Sequence, residues 1–310
     1  MKYYDLYADL KKYAGKIPTS NDVPAEAEVF AAASGDKNCY HQTETIPHAQ
    51  AVNAVAYGQI GGIDMEVISL IATFRFLTFK QLDNLLTLRQ RAHNEKTLKS
   101  SIERLFKHNM LRISHFSKNK ELCVYSLDNY GDEIASVLDV KHSFSPMQVA
   151  LPAVDIMRML EQNNVWIEFV KSGLSLSFLR RGEVISLKTN KSVGVRPSLG
   201  VGIDNETLFF EVVRRGESWK AELLEKIKRY KILMDNWSNT TWELQNEPLI
   251  IINGEDEAHN RQICHITSEA GLEVVFYTED RFLSGEQFYH SIYRIVQGEQ
   301  EFFCFGQNAA

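Results

Sequence analysis

The sequence predicts a two-domain α/β chain, and three observations carry that expectation. Between residues 62 and 145, three amphipathic helical stretches precede two strand-like runs that flank a short polar tip. After residue 146, strand-like and helical stretches alternate and include the apolar runs PLIIIN and LEVVFYT, the pattern of a mixed sheet flanked by helices. At 310 residues, the chain is long enough for each half to bury a core of its own.

Residues 1–61 read as an N-terminal helical arm. Tyr3, Leu6, Tyr7, Leu10 and Tyr13 recur at helical spacing and predict a short amphipathic helix that docks on the protein or on a second copy. The turn KIPTSND and an Ala-rich helix over residues 24–33 follow. Cys39, His41 and His48 are too loosely spaced for a metal site and read as part of a solvated connector.

Residues 62–145 form the next unit. IDMEVISLIATFRF reads as a helix with Met65, Ile68, Leu70, Ile71 and Phe74 as its apolar positions. LTFKQLDNLL opens on a Thr cap and turns Leu82, Leu85 and Leu86 inward. Asn94 caps a third helix, EKTLKSSIERLFKHN, in which Leu98, Ile102 and Leu105 keep the i, i+4, i+7 spacing. MLRISHF and ELCVYSL are strands joined by Ser117-Lys118-Asn119-Lys120, and YGDEIASVL closes the unit as a helix. Three helices followed by a hairpin is the order of a winged helix-turn-helix.

The core positions of the third helix leave Lys96, Thr97, Lys99, Ser100, Glu103, Arg104 and Lys107 on its outer side. A helix in the major groove offers its N-terminal half to base edges, with flanking lysines on phosphate. Lys118 and Lys120 at the wing tip are placed to reach an adjacent groove or backbone, and Arg91 and His93 lie just before the helix. Glu103 works against strong non-specific binding. Duplex DNA is the partner this footprint predicts.

Residues 146–310 form the α/β domain. A helix over residues 154–162 precedes the strand candidates WIEFV, LSLSFL, EVISLK and TLFFEVV. A long helix over residues 217–237, the strand PLIIIN, a helix over residues 257–269 and the strand LEVVFYT follow. Gly200-x-Gly202 is too short for a phosphate loop and reads as a hairpin bend.

Glu211 stands among apolar side chains in LFFEVV, where an unpaired carboxylate is expensive. It is therefore at a strand end, paired or functional, with Arg196, Arg214 and Lys226 as candidate partners. Metal-dependent phosphodiester cleavage needs hard oxygen ligands and a group that orients water. Nuclease cores of the PD-(D/E)xK type supply them from one hairpin, as an Asp and then an acid two residues before a Lys. An active site here would draw on Glu211, on Glu161 or Glu168 as an upstream acid, and on Asp204 on the nearby turn. Lys226 or Lys220 would be the displaced lysine, and Mg2+ the cofactor.

A winged helix followed by Arg196-Pro197, Glu211-Val212, Arg214, Glu217-Ser218, Lys226, Tyr230 and the later FYTED resembles the replication-relaxation family of plasmids and other mobile elements. The resemblance spans about residues 62 to 285 and implies a PD-(D/E)xK nuclease-like fold for the C-terminal half. Two positions depart from the family pattern. Its acid after Arg-Pro is Ser198 here, and its acid after Glu-Val is Val213. Serine is a poor magnesium ligand and valine is none, so the resemblance implies a nuclease-like domain without its metal site.

A formal net charge of −6 excludes the whole chain as a basic nucleic-acid binder and confines DNA contact to a local face. No run approaches the roughly 20 apolar residues of a spanning helix, and MKYYDLYADLKKY is no signal peptide. Cys39, Cys123, Cys264 and Cys304 form no CxxC pair, as expected of reduced thiols in a cytoplasmic protein. The leading expectation is a non-enzymatic DNA-binding protein of a mobile element acting in replication, transfer or transcription control. It would be a homodimer with replication or transfer proteins as partners, no cofactor and no membrane contact. The alternatives are a divergent metal-dependent endonuclease and a protein-interaction module that does not touch DNA.

Overall fold

The computed structural model describes residues 30–32, 36–39, 47–118, 121–142, 144–145, 147, 150–203, 206–242, 246–272, 275–279 and 292–303. The helix expected over residues 3–13, His41, Lys120 and Asp204 lie outside them, as does most of the helix expected over residues 24–33. The described chain divides into two compact units, one of residues 32–163 and one of residues 30–31 and 164–303.

The first unit is built on α1 (His48–Ala56), α2 (Ile63–Phe74), α3 (Phe79–Leu88) and α4 (Glu95–Lys107). The hairpin β2 (Leu111–Phe116) and β3 (Cys123–Leu127) and the helix α5 (Asn129–Val137) follow. Their starts are fixed by side chains that satisfy orphan amides. Thr78 and Gln81 form a reciprocal capping box at α3, and Asn94 and Thr97 form another at α4 with both bonds 2.9 Å. Helix α2 is the centre of the unit, with Val67, Ile68, Leu70, Ile71 and Phe74 buried against α4, α5 and β3. The hairpin pairs Leu111 with Leu127 and His115 with Cys123, and the short β1 (Asn38–Cys39) adds antiparallel to β2. Arg112 and Asp128, both buried, close the base of the hairpin at 2.8 Å, and Asp128 also caps α5.

Helix α6 (Ala153–Lys171) covers the helix expected over residues 154–162 and also WIEFV, for which the sequence predicts a strand. Residues 165–170 are all buried in it. A helix enclosed on every side reads as a continuous apolar run, which periodicity alone does not separate from a buried strand.

In the second unit a seven-stranded mixed sheet has the order β12-β11-β10-β9-β8-β7-β4. Its strands are β4 (Leu176–Arg181), β7 (Leu199–Ile203), β8 (Glu206–Val212), β9 (Leu249–Gly254), β10 (Val275–Glu279), β11 (Ile292–Val296) and β12 (Glu299–Phe303). A separate two-stranded piece joins β5 (Ile185–Ser186) to β6 (Gly194–Val195). Strands β8, β9 and β10 are mutually parallel, joined through α7 (Trp219–Met234) and α8 (Glu257–Glu269), and the remaining pairs are antiparallel. Parallel strands covered on both faces explain the unbroken run Ile250-Ile251-Ile252. Phe209 faces α7 and packs with Tyr230 and Trp237, while Phe210 faces away and meets Phe169 edge-on at 5.1 Å.

Gly200 and Gly202, expected as a hairpin bend, stand inside β7 between β4 and β8. Their role is clearance. A Cβ at Gly200 would lie 2.7 Å from the Trp242 ring, and one at Gly202 would lie 2.1 Å from Ser177 Oγ and 2.5 Å from the Phe178 ring. Among the described residues no helix is long and apolar enough to cross a membrane.

Candidate functional site

The strands place Glu211 on the face of β8 that looks toward α7. The register of Leu199 opposite Phe210 sets Ser198 beside it. Lys226 and Tyr230 stand one turn apart on α7, so both reach the same point of the sheet. The Glu211 side chain is 3% exposed and carries three donors. Lys226 Nζ donates to Oε2 at 2.5 Å, Ser198 Oγ donates to Oε2 at 3.3 Å, and the Tyr230 hydroxyl donates to Oε1. Ser198 Oγ in turn accepts the amide of Val212 at 3.1 Å. Burial first, and then the Glu211 charge, pushes the Tyr230 hydroxyl well above its ordinary range, so it stays a neutral donor.

Of the three cations that the sequence offers to Glu211, Lys226 holds it in an ion pair. The hydrogen bonds from Tyr230 and Ser198 add two partners that the charge pattern of the sequence does not indicate. The signal for Tyr230 was its position four residues after Lys226. Ser198 closes a hydrogen-bonded cluster around Glu211. Val213 packs in the apolar core beneath α7. Lys220 is exposed, with Nζ 5.7 Å from the Trp219 ring. Arg214 is fully buried and donates to the Val213 carbonyl at 2.8 Å and to Asn253 Oδ1 at 3.1 Å. Glu168 is paired with Lys171 on its own helix at 2.9 Å, and Glu161 is buried on the same helix within the first unit.

Magnesium asks for near-octahedral hard oxygen donors, usually one or two carboxylates and several waters. At Glu211 the single carboxylate is already neutralised by an ammonium and hydrogen-bonded on both oxygens. That donor set does not fit the ion. Among the described residues no group of three or more His, Cys, Asp or Glu side chains is arranged to hold a metal.

A second polar cluster lies at the carboxyl ends of β8 and β9. Arg215 bonds Glu255 at 2.9 Å and forks onto Asp256 at 2.8 Å. Asp256 caps α8 and, mainly through Arg215, is held down to about 2. The buried His259 accepts the Glu255 amide on Nδ1 at 3.2 Å and meets Trp219 edge-on. Burial and the charges of Arg215 and Arg214 push its imidazole down to about 3, so it is neutral at ordinary pH.

In the first unit, Lys96, Thr97, Lys99, Ser100, Glu103, Arg104 and Lys107 are all exposed on α4, as their spacing predicted. Several have other engagements. Thr97 belongs to the capping box, Lys99 pairs with Glu95 at 2.5 Å, and Arg104 forks onto Asp64 at 2.7 and 3.0 Å, where Ser101 also bonds. Arg91 pairs with Glu66 at 2.7 Å, and His93 sits between Asp83 and the Arg91 carbonyl, each at 2.8 Å. Lys118 is exposed at the hairpin tip, where Asp36 accepts its amide at 3.0 Å and the Ser117 hydroxyl at 2.8 Å. Lys96, Ser100, Glu103 and Lys107 form the projecting remainder of the face, so one acid stands among its cations.

No protein-family model and no curated protein matches the chain. The crystal structure of protein VC1899 from Vibrio cholerae aligns with 81% of this chain and 57% of its own, at 9% identity and a TM-score of 0.29. The chain thus spans little more than half the length of that protein, and a similarity at this level assigns neither fold nor function.

Proposed function

We propose that the protein is a DNA-binding accessory or regulatory protein of a plasmid or other mobile element, serving replication, transfer or transcription control. In this reading the first unit is a winged helix-turn-helix. The second is a nuclease-like domain that binds or assembles instead of cutting, and the active form is a homodimer. The observation that carries the reading is the outer face of α4, where Lys96, Ser100 and Lys107 project, with the Glu95-paired Lys99 and the acid Glu103 among them, in a unit whose hairpin tip carries Lys118. The resemblance to the replication-relaxation family supports the biological setting, and the Lys226-neutralised Glu211 supports the non-cutting role.

Lys96→Ala, Lys99→Ala and Lys107→Ala together should weaken duplex binding in a mobility-shift titration. The salt dependence should fall by roughly one unit of slope for each phosphate left without its lysine. No shift of any duplex at low salt would overturn the reading.

One observation favours a second reading. An acid on a strand and a lysine within hydrogen-bond reach are also what a divergent metal-dependent nuclease requires. Nicking of supercoiled DNA that needs Mg2+ or Mn2+ and disappears in Glu211→Ala would establish that alternative.

A further inference from the structure

The face of the second unit's sheet that carries Glu211 continues along β7 into an aromatic seat. Ser198, Gly200 and Gly202 follow one another on that face, each roughly 7 Å from the next. Trp242 is brought over Gly200 by a backbone clasp. Lys188 N donates to the Asn239 carbonyl at 2.8 Å, and Thr241 N donates to the Ser186 carbonyl at 2.7 Å. The Trp242 ring lies on Phe209 at 4.9 Å with a 31° tilt, and Phe178 flanks it at 5.8 Å. The Arg180 guanidinium stands over both outer rings, 5.3 Å from Phe178 and 5.7 Å from Trp242, steadied by Glu183 at 3.2 Å. The Arg180 side chain is half exposed, and Arg196, Lys188 and Lys191 are exposed on the segments that follow.

Trp242 packs against the core through Phe209, and it and Phe178 are only partly buried. Glycine weakens a strand interior, and here two glycines clear a strip for aromatic rings that remain partly exposed. Trp166, Trp219 and Trp237 are at most 9% exposed, so Trp242 is the tryptophan that meets solvent. An aromatic pair topped by a guanidinium plane, with cations spaced around it, has the chemistry that stacks an unpaired base and neutralises its phosphates. A duplex keeps its base faces covered, so it has nothing to offer such a seat.

We propose that Trp242, Phe178 and Arg180 form a stacking site for single-stranded nucleic acid, with Arg196 and the adjacent lysines on its backbone. This rests on the reading that the protein works on DNA, and it names a second substrate form held by the second unit. A strand opened beside a duplex site would be kept there without being cut.

The test titrates the full-length protein with dye-labelled oligo-dT of about 15 nucleotides, which covers the usual site sizes, and in parallel with oligo-rU of the same length. Intrinsic tryptophan emission and the anisotropy of the dye are both recorded. Quenching by either strand, absent in Trp242→Phe, is expected, and the preferred strand identifies the sugar. Trp242→Ala and Arg180→Ala should each weaken binding by roughly 5- to 150-fold. Arg180→Ala stands by itself if the tryptophan variant does not fold. The variant carrying Lys96→Ala, Lys99→Ala and Lys107→Ala should weaken the duplex shift and keep the quench, which separates this proposal from the preceding one. The proposal is overturned by absence of quenching with both strands, by undiminished affinity in Arg180→Ala, or by loss of the quench in the triple-lysine variant.

Discussion

Removing the Lys226 ammonium would test how the buried Glu211 is stabilised. Lys226→Met keeps the side-chain length and the apolar stem but leaves a carboxylate that is 3% exposed with hydroxyl donors alone. Breaking a fully buried pair from one side costs about 3–5 kcal/mol. The Lys226 side chain is 34% exposed, so water already screens part of the attraction, and Tyr230 and Ser198 remain, so about 2–3 kcal/mol is expected. For a unit of this size that corresponds to a fall in Tm of roughly 4–12 °C. Adding Glu211→Gln removes the stranded charge, and the double variant should return to within about 1 kcal/mol of wild type. All four tryptophans belong to the second unit, so their emission during urea titration follows that unit's unfolding separately from the first. A Lys226→Met protein as stable as the double variant would refute the reasoning. So would millimolar Mg2+ that stabilises wild type and not Glu211→Gln, because the carboxylate would then be a working ligand.

Two further outcomes are expected. His259 takes up a proton only near pH 3 when folded but near 6.5 when unfolded, so protonation favours the unfolded chain and stability falls as pH drops below 6.5. Between pH 8 and pH 5 this amounts to about 2 kcal/mol, a slope that denaturant titrations of His259→Asn should lack and that parallel curves would disprove. Arg104→Ala should lower the stability of the first unit by about 1–3 kcal/mol through loss of the fork onto Asp64, measured by thermal unfolding. It should leave the salt slope of duplex binding unchanged, in contrast to Lys96→Ala, because its guanidinium is already committed within the protein.

Local chemistry was readable in the sequence wherever one residue decides a backbone feature. Thr78 and Asn94 announced the starts of α3 and α4 because a cap needs only its own side chain and the next turn. The leucine spacing of α4 showed its outer face for the same reason. What escaped depends on partners distant in the chain. WIEFV reads equally as strand or buried helix, and only its surroundings select the helix. Gly200 and Gly202 suggested a bend, although their purpose is to admit Trp242, about forty residues later, and Phe178 from a neighbouring strand. The outward position of Arg104 is legible in its spacing, whereas its pairing with Asp64, on another helix, is not. The pairing of Glu211 with Lys226 was legible because a short connection joins their strand and helix. The hairpin of β11 and β12 is not legible in the sequence, since YRIVQGEQEFF mixes charge into both strands.

A lysine on the same fold as its carboxylate is a tethered counterion, which meets its partner without a separate binding event. Changes in divalent ion supply should therefore leave this part of the fold indifferent. The same tether constrains change by mutation. An acid introduced at position 198 would crowd a second negative charge against Glu211 while Lys226 still occupies the space between helix and strand. Removing Lys226 first would leave the buried Glu211 charge with hydroxyl donors alone. Each step toward an ion-binding centre is uphill until the other has been taken, so the arrangement acts as a ratchet: random single substitutions hold the domain in its present chemistry.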